Sequence, residues 1–217
     1  MLPRRRSINF PGGCDFYTAD QKFTLERSCA SAINDVLAKL PKAGCGYDSF
    51  LARGDVSDGS NYRYLIEYAT DFHEGAIKFY LLSANKYLVE VYCRSGAYNT
   101  ENVYLFYDES ALPSRADVLE FPSLELASDE DSDIAKAVKK VAVQTVGGRY
   151  FDAENKELIV FLKANGTGNA GSYARYSFPN GKPKLLEYRA KIKPEGSEYQ
   201  ADEIIKNPPI TWKRYYP

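Results

Sequence analysis

The sequence has a single histidine, His73, and a single methionine, Met1, so it has little of the side-chain chemistry that many catalytic and metal sites use. Histidine is the commonest general base and metal ligand near neutral pH, and with one of them acid–base chemistry rests on His73 or on carboxylates. The motifs of serine hydrolases, P-loop nucleotide-binding proteins and zinc peptidases are absent from the sequence. The composition therefore favours a non-enzymatic protein with no cofactor and no metal.

The sequence also lacks an excess of either charge, because its 28 Lys and Arg are balanced by 29 Asp and Glu. Nucleic-acid binding needs clustered cations that neutralise phosphates, so no nucleic-acid partner is expected. The one basic cluster, Arg4-Arg5-Arg6, follows Met1 without the apolar stretch of a signal peptide, and no apolar run reaches the length of a membrane span. The sequence thus predicts a chain with no membrane span and without a signal peptide.

Tyrosine is abundant, with 18 residues, and it favours the half-buried surface of a pleated sheet. Alternating or β-branched segments predict strands, and an Asn-Gly pair predicts a hairpin turn near the end of the chain. The predicted strands are 62–68, 76–82, 87–93, 102–107, 149–152, 157–163, 172–178 and 184–192, with the hairpin turn at 179–182. The aromatic tail 204–217 is expected to dock on the sheet.

Two segments have helical spacing instead. Between about 23 and 40, the apolar residues Ala30, Ile33 and Val36 share one face with Leu37 and Leu40, and Pro41 follows. A shorter pattern over about 133–141 predicts a second helix. The fold class expected from the sequence is therefore α+β, dominated by antiparallel sheet, with one N-terminal helix and a short second helix.

The length of 217 residues suits one domain, 1–217. Pro3, Pro11 and a Gly pair make residues 1–18 an irregular N-terminal segment. Residues 108–132 are acidic and contain prolines, and we interpret them as a long connection between two β-rich sub-regions.

The four cysteines, Cys14, Cys29, Cys45 and Cys93, include no C-x-x-C pair. With one histidine available, a zinc site has no usual ligand spacing, and two disulfides in an exported protein fit better. Three connectivities are open. The preferred one pairs Cys45 with Cys93 and Cys14 with Cys29, which ties down the irregular N-terminus.

Residues 166–171 match the G-x-G-x-x-G pattern of dinucleotide-binding folds. That pattern holds a pyrophosphate only at the start of a helix, whereas the aromatic residues from Ser172 to Phe178 indicate a strand. We therefore expect a glycine-rich connection between strands that binds no nucleotide. Asn165-Gly166-Thr167 has the form of a glycosylation sequon.

Two segments resemble one known family. Cys93-Arg94-Ser95-Gly96-Ala97-Tyr98-Asn99 is similar to a Cys-x-x-Gly-Ala-Tyr-Asn signature of a bacterial exported family, the domain of unknown function numbered eleven-seventy-six. Residues 150–171 and Trp212 resemble its second half, where a glycine-rich turn precedes a hairpin and a closing tryptophan. The likeness extends in islands over roughly residues 45–217. The Asp-Cys of the family's glycine turn falls on Asn169 and Ala170 here, so a disulfide anchored there is absent. The resemblance implies a periplasmic or extracellular location and assigns no activity.

Two functional classes remain. The first is a non-catalytic exported binding or structural module that recognises a protein or glycan surface, with a candidate binding surface of Tyr98, Asn99, Tyr104, Tyr173 and Tyr176, whose tyrosines we expect to be exposed together. Tyrosine can stack on a sugar or anchor an interface at low entropic cost. The second is an extracytoplasmic hydrolase that uses carboxylates, with Asp71, Glu74 or Asp152 as candidates. A cysteine–histidine pair of Cys93 and His73 is a further, weaker catalytic arrangement. The oligomeric state is left open by the sequence.

Overall fold

The described part of the chain is almost entirely antiparallel β-sheet. The computed structural model describes residues 15–18, 21–24, 32, 35, 36, 39, 77–113, 115–127, 136–147, 149–192 and 208–216. The strands are β1 (Asp15–Thr18), β2 (Gln21–Thr24), β3 (Ile77–Ser83), β4 (Lys86–Ser95), β5 (Thr100–Asp108), β6 (Arg115–Val118), β7 (Phe121–Ala127), β8 (Lys136–Val143), β9 (Thr145–Val146), β10 (Arg149–Asp152), β11 (Glu157–Lys163), β12 (Gly171–Ser177), β13 (Lys184–Lys191) and β14 (Lys213–Tyr216). A short 3₁₀ turn, Pro179–Gly181, joins β12 to β13.

The chain divides into two compact units. The first unit contains Met1–Arg94 and Asn102–Leu119, and the second contains Ser95–Glu101 and Glu120–Pro217. In the first unit β1 pairs with β2, and the larger sheet has the order β3–β4–β5–β6. Its core includes Phe79, Tyr87 and Tyr107, whose ring centroids lie 6.0 to 6.2 Å apart.

The second unit is built on a five-stranded antiparallel sheet in chain order, β10–β11–β12–β13–β14, together with the hairpin β7–β8. Residues on one face of the sheet pack on the hairpin, since Phe121 lies edge-on to Tyr176 with centroids 5.0 Å apart. On the opposite face, Phe161 lies 5.8 Å from Trp212 between centroids. The sheet is therefore covered on both faces in this region.

A register shift in β13 decides which side chains reach each face. Arg175 pairs with Glu187, but the next residue, Tyr176, pairs with Leu185, so Leu186 is the extra residue of a β-bulge. Because side chains alternate along a strand, one extra residue moves the following side chains to the other face. The bulge therefore places Leu185 on the hairpin-facing side of the sheet, opposite the face that carries Glu187.

The strands predicted for the second half of the chain are confirmed. The predicted strands 149–152, 157–163, 172–178 and 184–192 correspond to β10, β11, β12 and β13. Asn180 has a φ of 55° and Gly181 a φ of 75°, which is the left-handed conformation that an Asn-Gly turn supplies at low cost. The predicted docking of the tail is confirmed for its described part, because β14 pairs with β13.

The two predicted helices are wrong. The helix predicted over 23–40 overlaps β2, whose residues 21–24 pair with β1 in the register Phe16 to Phe23. Ala32, Asp35 and Val36 are helical, but no helix of seven residues or more occurs among the described residues. For the described residues, the α+β class is therefore corrected to a nearly all antiparallel β-sheet, and the backbone groups of residues 21–24 bond across to β1 instead of along a helix.

The segment predicted as a helix over 133–141 overlaps β8, which pairs with β7 through the register Phe121 to Val143. Val138, Val141 and Val143 give this stretch a high strand propensity, and a short apolar run cannot distinguish a helix from a strand by periodicity alone. Strand β1 also lies within the segment 1–18 that was expected to be irregular, and β6 and β7 lie within the expected connection 108–132. The predicted strand 62–68 lies outside the described residues.

Candidate functional site

The tyrosines proposed as an exposed surface are mostly core residues. Tyr98 is 56% exposed, but Tyr104 and Tyr173 are 0% exposed and Tyr176 is 2% exposed. The prediction that they are exposed together is therefore wrong for three of the four. Alternation indicates which side chains share a face, and here both faces of the strands that carry them are covered.

The buried hydroxyls have different surroundings. Tyr104 donates a hydrogen bond of 2.9 Å to Oε2 of Glu90, and Tyr80 donates one of 3.0 Å to the same oxygen. Tyr176 donates to the carbonyl oxygen of Pro122 at 3.1 Å. The Tyr173 hydroxyl has no hydrogen-bond partner among the described residues, and burial raises its pKa to about 12. These rings stabilise the sheets and are inaccessible to a ligand.

Tyr98 and Asn99 lie at the tip between β4 and β5, within the segment that resembles the family signature. The N–H of Gly96 donates to the carbonyl of Asn99 at 2.7 Å and closes the turn. A Cβ at residue 166 would lie 3.2 Å from Cε1 of Tyr98, so one part of that ring packs on Gly166 while the rest faces solvent. Asn99 bonds the main chain of Lys163 at both its nitrogen and its oxygen. Asn99 is therefore an anchor of this tip, and Tyr98 is the exposed member of the proposed surface.

The glycine-rich loop 166–171 leads into a strand, β12, as predicted. Its side chains are already bonded to one another: Nδ2 of Asn165 donates to Oδ1 of Asn169 at 2.9 Å, and the Thr167 hydroxyl lies within 3.1 Å of both Oδ1 atoms. No helix N-terminus follows to receive a phosphate. The loop thus has the geometry of a self-bonded turn, and the amide nitrogen of the sequon is engaged within it.

The catalytic candidates are only partly described. His73, Asp71 and Glu74 lie outside the described residues. Asp152 is the last residue of β10, and it accepts hydrogen bonds from the side chain of Asn155 at 2.7 Å and from the main-chain N–H groups of Glu154 and Asn155. The hydrogen bond from Asn155 outweighs partial desolvation and lowers the pKa of Asp152 below its usual range. Asp152 therefore has the environment of a turn cap.

The carboxylates of the five-stranded sheet are engaged by arginines. Glu157 accepts hydrogen bonds from Nε and Nη2 of Arg175 at 3.0 and 2.7 Å. Glu187, which is 6% exposed, accepts a hydrogen bond from Nε of Arg189 at 2.6 Å, and Nη1 of Arg175 lies 3.4 Å from its Oε2. Arg189 also donates to the carbonyl oxygen of Ile210 at 3.1 Å, so the network ties β13 to the segment before β14. This arrangement holds the sheet together.

Cys93 is the only one of the four cysteines among the described residues, and its side chain is 4% exposed. The pairings of Cys45 with Cys93 and of Cys14 with Cys29 therefore stay predictions. No group of three or more metal-ligating side chains is found in the described part of the chain. In the same part, no helix has both the length and the apolarity to cross a bilayer.

A groove in the second unit was not foreseen from the sequence. It has a volume of about 240 Å³ and is formed where the β7–β8 hairpin meets the start of β13 and the end of β14. The lining residues are Pro122, Ser123, Leu124, Lys140, Pro183, Lys184, Leu185 and Tyr216. They come from four separate segments, and we call this site the lysine groove.

The lysine groove has an apolar floor and a cationic rim. Lys140 and Lys184 are both exposed, and neither forms an ion pair with any described residue. The Lys140 ammonium lies 5.9 Å from the centroid of the Tyr216 ring, a cation–π distance. The Tyr188 hydroxyl donates to the carbonyl oxygen of the lining residue Leu124 at 3.4 Å. The polar side-chain groups of the lining are the two ammonium groups and the hydroxyls of Ser123 and Tyr216, and of these only the ammonium groups are cationic.

Only weak signals of this groove exist in the sequence. The Lys182-Pro183-Lys184 stretch and the aromatic tail are visible, but nothing in their spacing joins them to Pro122 or to Lys140.

Comparison of the chain with protein-family models, with curated proteins and with solved structures gives no match. The resemblance to the exported family consequently stays a hypothesis.

Proposed function

We propose that the protein is a non-catalytic exported binding module whose ligand site is the lysine groove. The observation that carries the proposal is the pairing of an apolar, partly aromatic floor with two exposed lysines that have no acidic partner among the described residues. Binding sites are typically concave and mostly apolar, with a few polar groups that orient the ligand. The groove has this combination.

The carboxylates support binding over hydrolysis as the role of the groove. A glycosidase needs two carboxyl groups about 5 to 10 Å apart on either side of the scissile bond. The described lining of the groove contains none. Glu157 and Glu187 face arginines, and Glu90 accepts hydrogen bonds from two buried tyrosines, so each is committed to holding the fold.

Two further observations support an exported location. Four cysteines without zinc-ligand spacing suit an oxidising compartment. The Cys93–Asn99 segment also resembles the signature of an exported bacterial family. The proposal for the location depends on these two features and is independent of the groove.

Co-sedimentation with insoluble cell-envelope polysaccharide tests the proposed function. We expect the protein to sediment with the polymer, and the double variant Lys140→Glu with Lys184→Glu to remain in the supernatant. Circular dichroism should show the same fold for both proteins, since both substituted side chains are exposed. Release of reducing ends or of ester groups by the wild-type protein would contradict a non-catalytic role, and equal sedimentation of both proteins would contradict the groove as the site.

A further inference from the structure

The lysine groove also indicates the class of its ligand, an inference that rests on the proposed function. Two ammonium groups that lack acidic partners among the described residues stand at its rim. A ligand with negative charges there gains Coulomb attraction without displacing an existing ion pair. A neutral ligand would gain no such attraction between opposite charges.

The apolar floor of the groove requires a ligand with more than a negative charge. Pro122, Leu124, Pro183 and Leu185 contribute apolar side chains to it, and Tyr216 contributes an aromatic ring. A small inorganic anion would bind at the rim and leave this apolar area exposed to water. The ligand must therefore have an apolar face as well as a negative charge, and a sugar ring that bears a carboxylate has both.

The size of the groove favours a segment of a polymer as its ligand. Its volume of about 240 Å³ is smaller than the roughly 300 to 1,000 Å³ of sites that enclose a whole drug-sized ligand. The two lysines that mark its rim are exposed, so a longer chain can enter and leave past them. The groove is consistent with contact to a short stretch of an extended chain.

An acidic peptide fits the lining less well. Extended peptides are recognised by β-proteins through main-chain hydrogen bonds along a strand edge. Apart from the lysines, the polar side chains in the lining are Ser123 and Tyr216, and the edge strand that carries Tyr216, β14, is only four residues long. The carbonyl oxygen of Tyr216 in the edge strand accepts a hydrogen bond from Nε of Arg214 at 3.1 Å. A sugar that packs a C–H face on the floor keeps its equatorial hydroxyls in contact with water, so it needs fewer hydrogen-bond partners in the groove.

We infer that the lysine groove binds an acidic polysaccharide, a polymer of carboxylated sugars, with its carboxylates at Lys140 and Lys184 and a sugar face on the floor. No covalent step is involved. The interaction combines charge pairing at the surface with burial of C–H area, so its affinity should fall as salt rises.

Calorimetric titration with polygalacturonate and with its methyl ester tests the inference, because the two polymers share a backbone and differ in charge. We expect polygalacturonate or alginate to bind and the methyl ester to bind at least about tenfold more weakly. The double variant Lys140→Ala with Lys184→Ala should lose between about threefold and thirtyfold in affinity, as for two exposed charge pairs. The matched control, Lys182→Ala with Lys213→Ala, removes the same charge from exposed positions outside the lining and should bind like the wild type.

The other outcomes separate the inference from the proposed function. If poly-glutamate, a single-stranded oligonucleotide or the methyl ester binds as tightly as the acidic glycans, and the lysine variant loses that binding, the ligand class is wrong and the groove still binds. If neither acidic glycan binds, the inference is overturned. If binding occurs but is lost in Tyr98→Ala and kept in the lysine variant, the site is at the β4–β5 tip, and both the inference and the groove fail.

Discussion

The side chain of Asn99 bonds the main chain of Lys163 as a neighbouring strand would. Its Nδ2 donates to the Lys163 carbonyl oxygen at 2.8 Å, and its Oδ1 accepts from the Lys163 N–H at 2.8 Å. One side chain thus satisfies both main-chain groups of a residue at the end of β11, and it fixes the tip that carries Tyr98.

Replacing Asn99 by Ala should lower the free energy of unfolding by about 1 to 3 kcal/mol, because two part-buried main-chain groups lose their partners. Chemical denaturation measures this change. The control Asn155→Ala removes an exposed amide that bonds Asp152 and should cost less than about 1 kcal/mol. Equal effects of the two substitutions would contradict the structural role of Asn99.

Tyr104→Phe removes the hydrogen bond from Tyr104 to Oε2 of Glu90, which is shorter than the one from Tyr80, and the Glu90 side chain is 1% exposed. We expect a loss of about 1 to 3 kcal/mol in the free energy of unfolding, since a buried carboxyl loses a donor. Tyr98→Phe makes the same chemical change on a ring that is 56% exposed and should change stability by less than about 0.5 kcal/mol. A small effect at Tyr104 would show that the carboxyl has no need of that donor.

Tyr173→Phe is expected to be neutral or stabilising at pH 7, because the fully buried hydroxyl has no partner among the described residues. At high pH the stability of Tyr173→Phe relative to the wild type should increase. Desolvation raises the pKa of Tyr173 to about 12, whereas an unfolded tyrosine ionises near pH 10, so the unfolded state loses its proton first. Between these values the free energy of unfolding falls as pH rises, by up to about 1.4 kcal/mol per pH unit. Denaturation at pH 9, 10 and 11 should therefore show a shallower decline for Tyr173→Phe than for the wild type, and parallel declines would contradict the assignment.

Gly171→Ala should destabilise the second unit by about 2 to 4 kcal/mol. Gly171 has a φ of 152°, and a Cβ there would lie 2.0 Å from the carbonyl oxygen of Leu162 in the paired strand. Gly96→Ala provides the control, because its Cβ would lie 3.5 Å from the nearest atom, which is an ordinary contact. Thermal unfolding followed by circular dichroism distinguishes the two, and a tolerated Gly171→Ala would mean that this end of β12 can shift.

The four cysteines should form two disulfides, with Cys45–Cys93 and Cys14–Cys29 as the preferred pairs. Each bond is expected to contribute about 2 to 4 kcal/mol, by restricting the unfolded chain. Alkylation under native conditions should label no thiol, and peptide mapping identifies the pairs. Alkylation of all four cysteines before any reduction would rule out both bonds.

The strands could be predicted from the sequence where the local pattern of residues decides the structure. Strands β10 to β13 could be predicted because their apolar residues alternate and because Asn180-Gly181 favours a hairpin turn. The burial of Tyr173 and Tyr176 could not, since alternation identifies the residues of a face and is silent about what covers it. Here the β7–β8 hairpin and the segment around Trp212 cover the two faces of the sheet.

The lysine groove could not be predicted for a related reason. Lys140, Lys184 and Tyr216 are separated along the chain and meet only through strand pairing. Leu185 reaches the groove because of the single extra residue at Leu186, and no pattern in the sequence marks that bulge. The helical spacing over 23–40 gave a wrong prediction at its start. Strand β2 pairs there with β1, and the periodicity of one segment does not reveal its pairing with a neighbouring segment.

The chain order of the five-stranded sheet has a consequence for the rate and sequence of folding. Strands β10 to β13 are joined only by residues 153–156, 164–170 and 178–183, so each new pairing closes a short loop and costs little chain entropy. Sheets with such local contacts fold faster than sheets with distant pairings. Strand β14 instead pairs with β13 after residues 192–212, the longest stretch of sequence between two paired strands of this sheet. The edge of the lysine groove that carries Tyr216 is thus the part we expect to assemble last and to open first.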